Sequence, residues 1–206
     1  MRKTINIAVV FMLLLSILPA AYAAGTTTLM EQARQKLLSA KSITAAATIA
    51  ADGHTSHASI TAAGKAFTIK MPQMEIWYDG TTQWTYNPNS GETSVTTPTP
   101  QEIAQINPLS LIASIGDGYK TTQLTSGNST EQTMRLIPRR PNPDLAYADV
   151  TLNSRTAMPT QIILTDPQGN TITLTVTSIK TGQALPSSTF RYDKAAHPSA
   201  TVVDLR

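Results

Sequence analysis

From Ile43 to Ala62 the chain keeps a period of two. Ile43, Ala45, Ala47 and Ile49 alternate with Thr and Ala, Asp52-Gly53 interrupts, and Ala58, Ile60 and Ala62 follow. Such a period gathers one set of side chains on one face of a strand, so the segment predicts a hairpin of long strands carrying small side chains. The composition agrees, because only 14% of the 206 residues are charged and much of the polar content is Thr, Ser, Gln and Asn. Thr is β-branched and favours strands.

Strand patterns continue along most of the chain. Phe67, Ile69 and Met71 precede Pro72, and Met74, Ile76 and Tyr78 share the next face. Asp79-Gly80 turns the chain into Gln83 to Tyr86, with Trp84 and Tyr86 together, and Asn87 to Gly91 turns it again into a strand around Val95. Later strands are expected at Tyr119 to Thr125, Thr133 to Ile137, Tyr147 to Leu152, Thr160 to Thr165 and Ile172 to Ile179, with short ones near Phe190 and Val202-Val203. The loop from Pro138 to Leu145 holds three prolines and two arginines, and Asp166 to Asn170 is a hairpin turn.

Helical signals are fewer. Thr28 and Glu31 form a capping box before a segment with Leu29, Ala33 and Leu37 at helical spacing. Thr99-Pro100-Gln101-Glu102 repeats that box, and Asn107-Pro108 begins a further helix with Leu109, Leu111, Ile112 and Ile115. No parallel strand-helix-strand alternation occurs. The expected class is mainly β (α+β): an incomplete, strongly curved antiparallel barrel with about three helices over one face.

The N-terminus predicts export. Arg2 and Lys3 precede an uncharged stretch centred on Phe11 to Leu15, and Ala21-Tyr22-Ala23 fits a signal-peptide cleavage site. Residues 1–23 are therefore expected to be removed, leaving 24–206 as one domain of roughly 180 residues. Cleavage takes two of the 16 basic residues and leaves 14 against 13 acidic ones, which disfavours nucleic acid as a partner. With no cysteine there is no disulfide, no thiol chemistry and no acceptor for an N-terminal lipid.

Catalytic patterns are missing. His54 and His57, three apart in a strand region, point to opposite faces, and His197 beside Pro198 reads as a surface loop residue. Asp52, Asp79, Asp117 and Asp166 all adjoin Gly or Pro in turns, where backbone hydrogen bonds occupy carboxylates. No serine lies in a nucleophile elbow. The reading is of a protein that is not an enzyme and needs neither metal nor cofactor.

An apolar face remains. Its expected residues are Met71, Met74, Ile76, Trp84, Leu109 and Ile112 from the first half and the lid, with Met134, Leu136, Ile162, Leu164, Leu174 and Val176 from the second. They could line a ligand cavity or pack as ordinary core, and the pattern alone favours ordinary core.

The segment Asp79 to Pro88, DGTTQWTYNP, resembles the strand-turn-strand signature of the periplasmic outer-membrane lipoprotein carriers, the LolA family. The leader, the opening helix, the Ala/Thr hairpin, the segment NPLSLI from Asn107 to Ile112 and the turn around Asp166 fall in the family's order. The resemblance implies a half-barrel that holds lipoprotein acyl chains. It would shuttle them, as a soluble monomer, from an inner-membrane transporter to an outer-membrane acceptor. Members often carry an Arg before the Pro that follows the third strand, thought to latch the lid; here that position is Met71. A lipid- or lipoprotein-sensing module on the same fold is the second reading, and a secreted hydrolase with paired carboxylates the third.

Overall fold

The computed structural model describes residues 28–99, 102–103, 118–124 and 129–206. Helix α1 (Leu29–Leu38) leads into a first run of strands: β1 (Ser42–Ala51), β2 (His54–Ala63), β3 (Ala66–Met71), β4 (Met74–Tyr78), β5 (Gln83–Asn87) and β6 (Glu92–Thr96). A second run follows: β7 (Tyr119–Leu124), β8 (Glu131–Pro138), β9 (Tyr147–Asn153), β10 (Pro159–Thr165) and β11 (Thr171–Gly182), with β12 (Thr201–Asp204) at the end.

All twelve strands form one sheet in the order β12-β6-β5-β4-β3-β2-β1-β11-β10-β9-β8-β7. Two antiparallel meanders are thus joined where β1 pairs with β11, and the sheet is open, with β12 and β7 at its edges. The expectation of an incomplete, predominantly antiparallel sheet holds. One strand departs from it: β12 runs parallel to β6.

Turn chemistry fixes the registers. In the β1–β2 turn Asp52 and Gly53 both take positive φ, 50° and 75°, as a tight hairpin requires. Asp166 accepts the amides of Gln168 and Asn170 at 2.9 and 2.8 Å, closing the β10–β11 turn. Two bulges then keep apolar residues in phase. Between Ala46 and Ala47 the β11 partner jumps from Ser178 to Val176, so both Val176 and Ile179 lie on the face of Ala47 and Ala45. A similar shift at Thr160 aligns Pro159 with Leu152.

Helix α1 starts as the capping box predicts, with Thr28 Oγ1 accepting the Glu31 amide at 3.2 Å, and it buries Met30, Ala33 and Leu37. Leu38 is left 41% exposed. Among the described residues α1 is the one complete α-helix, where about three were expected. A second is seen at its capped start, Glu102 and Ile103, and the helix expected from Asn107 to Ile115 lies outside the described residues. The strand expected near Phe190 is instead a 3-10 turn, Ser187–Phe190. Pro186 precedes it, the Arg191 amide closes on the Ser188 carbonyl at 3.3 Å, and Phe190 is buried.

Two apolar clusters share the face on which α1 sits. One joins Met30 and Ala33 to Tyr119, Met134, Leu136, Val150, Leu152 and Ile172; the other joins Ala62, Phe67, Ile69, Ile76 and Tyr78. The opposite face over β8–β10 is polar, with Arg135 bonded twice to Asp149 at 2.7 Å and lying 3.8 Å above the Tyr147 ring. Leu136 is fully buried and its chain neighbour Ile137 is 39% exposed. Replacing Leu136 by Ala is expected to cost about 2–5 kcal/mol in denaturant unfolding, and Ile137→Ala less than about 0.5 kcal/mol. Equal effects would contradict this assignment of faces.

Candidate functional site

The strand ladders place most of the expected site residues on one surface. Met71 pairs with Met74 and Ile69 with Ile76 across β3 and β4; Leu174 pairs with Ile162, which pairs with Val150. Val150 and Ala148 in turn pair with Met134 and Leu136 on β8, and Leu164 faces Ile172. Because directly paired residues lie on the same side of a sheet, Met71, Met74, Ile76, Met134, Leu136, Ile162, Leu164, Leu174 and Val176 all belong to the α1 face. Leu109 and Ile112 lie outside the described residues.

Trp84 is different. The Asp79 amide donates to the Thr82 carbonyl at 3.2 Å, which pairs Tyr78 with Gln83 and hence Trp77 with Trp84. That register puts Trp84 on the opposite face, away from Ile76. The α1 face of β5 and β6 carries Gln83, Thr85, Ser94 and Thr96 instead, and the Gln83 side-chain amide donates to Thr85 at 3.1 Å. The apolar surface therefore stops at β4 on this side.

Between the two clusters, Ala45, Ala47 and Ala58 are interspersed among Ile43, Ile49 and Ile60. Ala47 is flanked by Ala58 on β2 and Val176 on β11, and Ala45 by Ile60 and Ile179. Ala58 is buried, while Ala45, Ala47, Ile60 and Val176 are half-buried. The methyl groups of Ala45, Ala47 and Ala58 stand lower than the larger side chains of the two clusters on either side. These alanines were visible in the sequence as the small members of the hairpin alternation, but a search for bulky apolar residues passes over them.

The second helical start sits over the same face. Thr99 donates its amide and hydroxyl to Glu102 at 2.7 and 2.8 Å, the Glu102 amide returns to Thr99 Oγ1 at 3.3 Å, and Ile103 packs against the β2–β4 cluster. Burial pushes the Tyr119 phenol up, and it does the same to Tyr78 with help from the Asp79 charge.

The Asp79 carboxylate serves its turn. Asp79 Oδ1 accepts the amides of Thr81 and Thr82 at 3.0 and 2.9 Å, and Oδ2 accepts from Arg191 Nε at 3.2 Å. His54 pairs with Ala51 and His57 with Thr48, on opposite faces. Among the described residues no group of three or more His, Asp or Glu is placed to hold a metal ion. His197 is not a free surface residue as expected. It is half-buried on the opposite face, stacked 5.4 Å from Tyr192 and lying 4.4 Å from Tyr86 and 5.8 Å from Trp77.

Residues 25–168 match the family model described as outer membrane lipoprotein carrier protein LolA. Among solved structures, an uncharacterized conserved protein from Thermus thermophilus is similar over 85% of this chain and 96% of its own, at 12% identity and a TM-score of 0.57. A LolA superfamily protein from Nitrosomonas europaea covers 80% of this chain and 96% of its own, at 14% identity and a TM-score of 0.41. The MucA/MucB complex of Pseudomonas aeruginosa matches 85% of this chain and 60% of its own, at 16% identity and a TM-score of 0.41. Of these three, the Thermus protein alone is near enough to bear on the fold. No curated protein sequence matches the chain.

The helical start beside the β2–β4 cluster carries a pH dependence. Hydrogen bonds from the Thr99 backbone and side chain hold the Glu102 carboxyl below its usual range. A carboxyl with a depressed folded-state value contributes fully above its unfolded value and loses that contribution as pH falls through the folded one. In an acid titration followed by NMR, the Thr99 amide is expected to shift with the Glu102 carboxyl, and Glu102→Gln to abolish the response. An unchanged Thr99 amide in acid would show that the box is not closed in solution.

Proposed function

The chain belongs to the outer membrane lipoprotein carrier LolA family, and on that premise we propose that it carries lipoprotein acyl chains through the periplasm, held against the α1 face of its sheet. The route would run from an inner-membrane release transporter to an outer-membrane acceptor. Residues 1–23 would act as a signal peptide cleaved near Ala23, releasing 24–206 as one unlipidated domain that works without a cofactor or a catalytic step.

The observation that carries this reading is the continuous apolar face from β4 to β8, with Ala45, Ala47 and Ala58 between two clusters of larger side chains. Acyl chains have no chemistry to recognise beyond their length and flexibility, so an extended apolar trough is the fitting receptor. Each methylene taken from water contributes about 0.8 kcal/mol, and partial shielding of several acyl chains supplies ample affinity. The trough would be lined by Met71, Met74, Ile76, Ile162, Leu174 and Val176, with Met134, Leu136 and Leu164 beneath it and Leu109 and Ile112 in its cover. Trp84 has no place in it.

The apolar tip of β3 and β4 bears on release. Met71 and Met74 pair there and pack against the second cluster, where a guanidinium would latch a lid in other members. Thioether side chains adapt to varied apolar partners and offer no directional latch. Opening would then follow from a receptor that prefers the emptied state.

Titration with an apolar fluorescent probe, together with mass spectrometry of gently purified protein, tests the carrier reading. The protein is expected to bind probe and retain acyl lipid, and Ala47→Phe to weaken probe binding at least about tenfold with little loss of stability. A trough that is merely packed core would show the reverse, a loss of about 1–3 kcal/mol of stability from overpacking, and no probe bound by the original protein.

A further inference from the structure

One end of the sheet is strongly basic. At this end β1 begins, β11 finishes, and the β2–β3, β4–β5 and β9–β10 turns project. Lys41 immediately precedes β1, Lys65 lies in the β2–β3 turn, and Lys180 stands opposite Thr44 near the end of β11. Arg155 is in the β9–β10 turn, and Lys36 ties the end of α1 to that turn by donating to the Thr156 carbonyl at 2.8 Å. All five are exposed, and none forms an ion pair among the described residues.

The acids at this end are already engaged. Asp79 adjoins Lys65, since a Cβ on Gly80 would lie 4.0 Å from the Lys65 Cβ, and it is held by turn amides and Arg191. Glu131 accepts the Thr160 hydroxyl at 2.9 Å, and Asp204, near the end of β12, pairs with Arg206 at 2.6 Å. Asp52, Asp144, Asp166 and Glu92 belong to turns and loops at the other end of the sheet. That other end mixes its acids with Lys70, Lys120, Arg139 and Arg140, so the excess of positive charge lies where β1 begins.

Two apolar side chains accompany the lysines. Leu38, at the end of α1, is 41% exposed, and Leu185, just beyond β11, is 36% exposed. The Ser42 hydroxyl donates to the Gln183 carbonyl at 2.7 Å and so keeps that segment beside the start of β1. Hydrated lysines on flexible stems suit a diffuse layer of phosphates better than a fixed carboxylate, which calls for the fork of arginine. Exposed leucines among them suit insertion at the boundary of headgroups and acyl chains.

We propose that this basic rim docks the protein on an anionic phospholipid surface, through Lys36, Lys41, Lys65, Lys180 and Arg155, with Leu38 and Leu185 entering the interface. The proposal rests on the carrier reading for its purpose, which is to present the trough to a membrane during loading or delivery. Attraction of this kind is weak for each charge, additive over several, and screened by salt.

Co-sedimentation with vesicles of phosphatidylcholine, alone or mixed with phosphatidylglycerol, tests it. The protein is expected to bind only the mixed vesicles and to be released by salt. The triple reversal Lys41→Glu, Lys65→Glu and Lys180→Glu is expected to lower that binding at least about tenfold, with melting temperature and apolar-probe affinity unchanged. Leu38→Ser alone should also weaken it. Equal binding to both vesicle types, or no loss on charge reversal, overturns the proposal. So does absence of vesicle binding when the protein is retained on immobilised polyglutamate through the same lysines, an outcome that assigns the rim to an acidic protein. Probe affinity is read separately, so failure of the rim and failure of the trough are distinguishable.

Discussion

The pairing of β1 with β11 is the contact on which the rest of the sheet depends. Each meander taken alone would present an apolar stripe ending in an unpaired edge, and neither would carry both apolar clusters. Joined along ten residue pairs, they become one surface with Ala45 and Ala47 at its middle. The bulge at Thr177 matters for the same reason. Without the extra residue, strict alternation beyond Val176 would turn Ile179 to the other side and break the continuity next to Ala45.

Much of this could be read from the chain before any coordinates, because strand periodicity is local. The hairpin of β1 and β2, the faces of β3 and β4, the capping boxes at Thr28 and Thr99 and the turn at Asp166 all follow from residues a few positions apart. Features that depend on distant partners were not legible. Nothing in Ile43 to Ala51 names Ile172 to Gly182 as its neighbour, and nothing in Val202-Val203 announces a parallel partner. Trp84 shows an intermediate case. Its strand was evident, but its face depends on which residue opposes Tyr78 across the β4–β5 turn, and that is set by how the Asp79 backbone closes on Thr82. Phe190 gave an apolar signal that a single turn satisfies as well as a strand does.

The two faces are finished by different means. On one, α1 and the start at Glu102 lie across the strands; on the other, the segment after Phe190 lays Tyr192 and His197 against Trp77 and Tyr86. Arg191 fastens the same segment to the Asp79 turn. The signature that marks the family in sequence is therefore structural in this chain: its Asp organises a turn and anchors the last part of the polypeptide, and its Trp and Tyr lie on the face away from the trough. Such residues tie β4 and β5 to the last part of the chain on the face away from α1.

The parallel pairing of β12 with β6 also dictates an order of events during synthesis. A polypeptide that emerges N-terminus first can assemble its first meander early, yet β6 keeps a bare line of amides and carbonyls until residues 201–204 arrive. Through that interval the nascent sheet is open to adventitious strand addition. Strand β12 thus covers β6 last and leaves an edge of only four residues on that side of the sheet.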